Sequence, residues 1–172
     1  KSDDVALDTP KKVFEKGKEY FVDDKYQEAE NLFKKIKLQY PASGYSDSAQ
    51  YYLGEVNFKR REYVLAAFNY SLIDKYYPAS GLRKEARYKR AMCYYELSPK
   101  YDRSHEYTRK AIAEFESYKR LYPGDSLFFE AESRIRELKD KFARKDYSIA
   151  ELYNKIDEPI AAVIYYDFLI ND

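Results

Sequence analysis

Apolar residues follow one another at steps of three and four late in the chain, at Phe128, Ala131, Ile135, Leu138 and Phe142, then at Ile149, Leu152 and Ile156. Such steps put side chains on one face of an α-helix. No Pro or Gly interrupts Asp125 to Asp157. The spacing predicts one long helix near 125–156, kinked near Asp146. Pro159 suits the first turn of the helix that follows. Upstream, helical spacing comes in shorter pairs, and the pattern repeats. Pro41-Ala42-Ser43-Gly44 recurs 37 residues later as Pro78-Ala79-Ser80-Gly81, and Gly17/Gly54 and Ala29/Ala66 share that step. A fixed period of this size marks stacked repeats, which present an extended surface rather than one deep pocket.

The repeat fits the tetratricopeptide template of two antiparallel helices, with Gly and Tyr in the first and Ala-x3-Phe then Pro in the second. The first unit supplies Gly17, Tyr20, Ala29, Phe33 and Pro41; the second Leu53, Gly54, Ala66, Tyr70 and Pro78. The third has Ala91, Tyr94, Ala111, Phe115 and Pro123, and a fourth Ala-x3-aromatic occurs at Ala161 and Tyr165. Gly or Ala lets two helix backbones approach, the aromatic fills the groove between pairs, and Pro ends the second helix. Asp47, Ser48 and Ser80 are candidate helix caps. The expected fold is all-α, a tetratricopeptide-repeat superhelix of about four helix pairs. Residues 1–9 read as an N-terminal extension. The array reads as 10–172, in units near 10–41, 47–78, 84–123 and 125–172.

The step is broken twice. Pro78 to Pro123 is 45 residues, and the excess lies between Ala91 and Ala111. It predicts an enlarged loop over 98–106, with Tyr101, Asp102, Arg103 and His105 as candidate partner contacts, since long loops on compact repeats often carry function. A tolerated insertion is the equal alternative. The second break is the long helix after Pro123.

First helices line the inner groove of this fold. Phe14, Tyr51 and Tyr88 form one row at the repeat step, Phe21, Phe58 and Tyr95 another, with Lys18, Glu55 and Met92 between them. Each triplet is spaced i, i+4, i+7 and shares a helix face. The expectation is an aromatic concave groove for a peptide; the alternative is that one or both rows are core. Chaperone-binding repeats clamp a carboxylate with Lys and Asn at these places, and only Lys18 fits.

Charge narrows the partners. The chain holds 31 Lys+Arg against 30 Asp+Glu, which argues against nucleic acid and against a polybasic membrane module. The 21 Tyr exceed what a helical core needs and favour contact surfaces. Cys93, the only cysteine, sits among apolar residues and reads as a small buried hydrophobe. His105 is the only histidine, and no metal set, cofactor loop or catalytic dyad can be built around it. No transmembrane run or signal peptide is seen. The chain starts at Lys1 without Met, so removal of a preceding piece is expected.

Tyr88–Tyr101 (YKRAMCYYELSPKY), Tyr107–Phe115 (YTRKAIAEF) and Leu121–Pro123 resemble the BamD family, lipoproteins of the outer-membrane β-barrel assembly machinery. Ile135–Tyr153 is similar to that family's long seventh helix, and Lys1–Asp4 looks like the segment just after a lipidated cysteine. The resemblance implies a non-catalytic scaffold on the periplasmic face of the outer membrane, held by an N-terminal lipid anchor absent from this chain. It implies as partners the barrel-forming subunit, other assembly-complex proteins and the C-termini of unfolded barrel substrates, which are amphipathic strands ending in an aromatic residue. The family has five repeats, and about four are found here. The alternative is another periplasmic adaptor coordinating envelope growth or peptidoglycan synthesis. A peptidoglycan-cleaving enzyme would need a catalytic domain for which no room remains.

Overall fold

The computed structural model describes residues 9–98 and 106–171, with side chains through Asp167. Among the described residues the chain is all-helical: α1 (Pro10–Val22), α2 (Tyr26–Gln39), α3 (Ser46–Lys59), α4 (Tyr63–Tyr76), α5 (Arg83–Leu97), α6 (Glu106–Leu121), α7 (Phe128–Lys155) and α8 (Pro159–Asn171). Helices adjacent in sequence pack together: α1 with α2, α2 with α3, α3 with α4, α6 with α7, and α7 with α8. Three helix pairs of a tetratricopeptide array, α1/α2, α3/α4 and α7/α8, are therefore present. Two compact units divide the chain, Lys1–Glu96 and Leu97–Asp172.

The template residues form the core. Val13, Ala29, Phe33, Ile36, Ala49, Leu53 and Val56 make one buried cluster. Tyr51, Ala66, Ala67, Tyr70, Ile73, Ala86 and Cys93 make a second. Burial pushes the Cys93 thiol well above its ordinary range, which leaves it an inert packing group. In the C-terminal unit Ala111, Phe115, Ala131 and Leu138 are fully buried. The alanine buried in α8 is Ala162 rather than Ala161, so the packing register there lies one residue beyond the Ala161/Tyr165 reading. Ala162 and Tyr166 share the same Ala-x3-aromatic spacing, which leaves the pattern ambiguous between the two.

Helix ends explain the short turns. Thr9 caps α1, its Oγ1 accepting from Lys12 N at 3.3 Å, and Pro10 begins the helix. Within the pairs the turns use a left-handed residue that is not glycine: Asp24 (φ 59°), Arg61 (φ 61°) and Asp157 (φ 60°). In each, the next amide reaches back to close the helix: Lys25 N to Tyr20 O (2.8 Å), Glu62 N to Asn57 O (2.8 Å), Glu158 N to Tyr153 O (3.0 Å). This is the Schellman closure. Between repeats 1 and 2 the cap differs from expectation. Asp47 and Ser48 lie inside α3, and no side chain caps that helix. Instead buried Ser46 Oγ donates to Tyr40 O (2.9 Å) and Pro41 O (2.8 Å), closing the end of α2. Ser80 does act near the start of α5, accepting from Leu82 N at 3.1 Å and donating to Asp47 Oδ2 at 2.6 Å. The long helix α7 runs through Asp146 without interruption.

A polar thread crosses the N-terminal unit. Lys37 of α2 donates to buried Gln50 Oε1. Gln50 Nε2 donates to both O and Oδ1 of Asn69 on α4, each at 2.9 Å. Asn69 Nδ2 donates to Asn57 Oδ1 (2.8 Å), and Asn57 Nδ2 to Glu62 Oε2 (2.7 Å). Burial lowers the Lys37 pKa. Buried polar groups linked in this way fix the register of α2, α3 and α4.

Candidate functional site on the first helices

In the N-terminal unit side chains of α3 meet α1 through Tyr52 and α5 through Tyr51 and Glu55, and the two aromatic rows have different surroundings. In the row Phe14, Tyr51 and Tyr88, the two tyrosines turn inward and Phe14 is half-buried. The Phe14 ring lies among Phe33 (5.8 Å between ring centres), Tyr45 (5.3 Å) and Tyr52 (5.6 Å). Tyr51 and Tyr88 are each only 7% exposed. The Tyr51 hydroxyl donates to Glu85 Oε1 at 2.7 Å. Burial, reinforced by Glu55 and Glu85, holds its phenol protonated far above the usual range. This row offers a ligand little surface.

The row Phe21, Phe58 and Tyr95 is half-buried, as is Met92; the Glu55 side chain is 12% exposed and Lys18 is exposed. Phe21 meets Tyr52 edge-on at 5.5 Å and Tyr26 at 5.8 Å. Lys18 Nζ lies 5.8 Å from the Tyr52 ring centre. Glu55 accepts from the Tyr70 hydroxyl at 2.6 Å and pairs with Lys89 Nζ at 3.0 Å. Lys89 Nζ also lies 5.5 Å from the Phe58 ring centre, a cation–π contact. The face thus alternates half-buried rings with charges. Glu55 is already neutralised by Lys89, whereas Lys18 has no carboxylate partner among the described residues. The loop residues Tyr101, Asp102, Arg103 and His105 lie outside the described residues.

Sequence reasoning missed Tyr52. It stacks on Phe33 at 5.1 Å and receives Phe14 and Phe21 from α1, so one ring joins the first two repeats. Its repeat counterparts are Glu15 and Lys89, so periodicity gives it no signal. Only the Tyr51-Tyr52 doublet hints that one ring faces the core and the other the neighbouring helix.

Among the described residues no helix is long and apolar enough to cross a membrane. Residues 7–172 match the model of YfiO, described as outer membrane lipoprotein. Over 138 residues the chain is 25% identical to the outer membrane protein assembly factor BamD of Caulobacter vibrioides, covering 80% of this chain and 45% of that protein. The chain therefore spans less than half the length of this curated relative. The family match runs through nearly all of the repeat array described above, and on that ground the chain belongs to the YfiO family of outer membrane lipoproteins.

Proposed function

We propose that this chain is a non-catalytic scaffold of outer-membrane β-barrel assembly, and that the face formed by α1, α3 and α5 binds the C-terminal segments of unfolded barrel proteins. The family match over residues 7–172 carries the first part. The row Phe21, Phe58 and Tyr95, only partly buried, with Met92 beside it, supports the second. An amphipathic strand presents apolar groups on one side only, and rings at the repeat step meet them. Lys18 offers the terminal carboxylate a cation, while Phe14, Tyr51 and Tyr88 brace the face from within. The chain's place is the periplasmic side of the outer membrane, lipid-anchored, with the barrel-forming subunit and other assembly proteins as partners.

The test is a synthetic strand peptide ending in an aromatic residue, titrated against the purified protein. Phe21→Ala and Phe58→Ala each weaken binding about ten-fold, as loss of a central aromatic contact does. Lys18→Glu weakens it further at low salt than at high salt. Unchanged affinity in all three folded variants sinks the groove. Recovery of peptidoglycan enzymes rather than a large β-barrel protein from envelope membranes sinks the assembly role.

A further inference from the structure

The repeats supply their own control for the outer face of the second helices. In α2 that face carries Gln27, Glu28 and Asn31, and the equivalent places in α6 hold Arg109, Lys110 and Ala113. In α4 the same places hold Val64, Leu65 and Phe68, which are 55%, 53% and 57% exposed. They point away from Ala66, Tyr70 and Ile73, which bury the opposite side of the helix. The fold does not require this stripe to be apolar, because the same position is predominantly polar in α2 and α6; in α8 it holds Ile160, Ala161 and Ile164, with both isoleucines exposed. A contiguous exposed apolar patch marks an interaction site.

Cations bound the stripe at both ends. Arg61 is exposed in the turn before α4, and Lys75 is exposed in its last turn, 5.1 Å from the Tyr76 ring centre. Among the described residues neither has a carboxylate partner. The backbone of α4 is closed by its own helical bonds, so an extended strand finds nothing to pair with here. A second helix does fit, its side chains settling between those of α4. Two cations and three apolar side chains are too few for an interfacial membrane helix, which needs a broad apolar face and many cations.

We propose that the outer face of α4 docks an amphipathic helix of a protein partner, whose apolar stripe covers Val64, Leu65 and Phe68 and whose carboxylates meet Arg61 and Lys75. This site is separate from the α1/α3/α5 face. The test places a benzophenone amino acid at position 65 of the full-length protein in its own envelope, with position 58 as a second probe. The expected product at 65 is one peptide of another protein, helical in spacing, with Asp or Glu flanking its apolar residues. Combined Arg61→Glu and Lys75→Glu lowers that adduct about ten-fold, since like charges then face each other, and leaves the adduct at 58 unchanged. Lipid adducts, adducts to a second copy of this chain, a partner peptide without acidic flanks, or no adduct at 65 each overturn the proposal. Loss of the adduct at 58 alone counts against the groove and not against α4.

Discussion

The Phe33 ring occupies the space that a methyl group on Gly17 would need: a Cβ built there comes within 2.8 Å of Phe33 Cε1. One repeat on, a Cβ on Gly54 comes within 2.6 Å of Tyr70 Cε1. Both rings are essentially fully buried and cannot move aside. Gly17→Ala and Gly54→Ala therefore each destabilise the protein by about 1–3 kcal/mol, the usual cost of overpacking. Gly44 has open space at the Cβ and no positive φ. Gly44→Ala gains about 0.4–1 kcal/mol by restricting the unfolded chain. Urea denaturation of the three variants separates the glycines that set helix approach from the one that does not.

Arg61 holds a left-handed conformation that favours glycine. Arg61→Gly raises stability by up to about 1 kcal/mol, and Arg61→Val lowers it by a similar amount, because a β-branched side chain suffers most there. Thermal melts of the pair show opposite shifts.

Gln50 and Asn69 act as one unit across α3 and α4. Gln50→Leu takes the acceptor from Lys37 and the donor from Asn69 O and Oδ1 and costs about 1–3 kcal/mol. Asn69→Ala costs a similar amount. The double variant costs less than the sum, since the second change removes a group already left unsatisfied. A double-mutant cycle by denaturant titration measures the coupling.

Alkaline pH loosens the N-terminal unit through its tyrosines. Burial first, and Glu55 second, raise the phenol pKa of both Tyr51 and Tyr70. Their contribution to stability is complete below the unfolded value of about 10. Above it the unfolded chain releases protons that the folded chain keeps, so stability falls as pH rises. The slope reaches about 1.4 kcal/mol per pH unit for each tyrosine. Denaturation midpoints between neutral pH and the far alkaline range show the fall, and Tyr51→Phe with Tyr70→Phe flattens it.

Residues whose role is set by spacing were legible in the sequence. Gly17, Ala29, Phe33 and their counterparts one step on announce helix pairs, because close approach and groove filling demand particular sizes at fixed places. Gln50, Asn57 and Asn69 were not legible. A polar residue in a helical pattern reads as exposed, and only the fold brings the three within hydrogen-bonding reach. The two aromatic rows were found by periodicity, which could not tell Tyr51 and Tyr88, turned inward, from Phe21 and Phe58, half-open. Orientation at that level depends on the angle between adjacent helices, and no single-chain spacing encodes it.

The joints between α1, α3 and α5 differ in material. Between α1 and α3 the contact is aromatic, Tyr52 held by Phe14 and Phe21. Between α3 and α5 ionic and polar contacts, Glu55 with Lys89 and Tyr51 with Glu85, are added to the buried cluster of Tyr51, Ala86 and Cys93, with Lys89 29% exposed. Salt reaches only the charged part of the second joint and leaves the first intact, whereas cooling weakens the apolar contacts of both. The α1/α3/α5 face thus answers ionic strength on its α5 side and not on its α1 side.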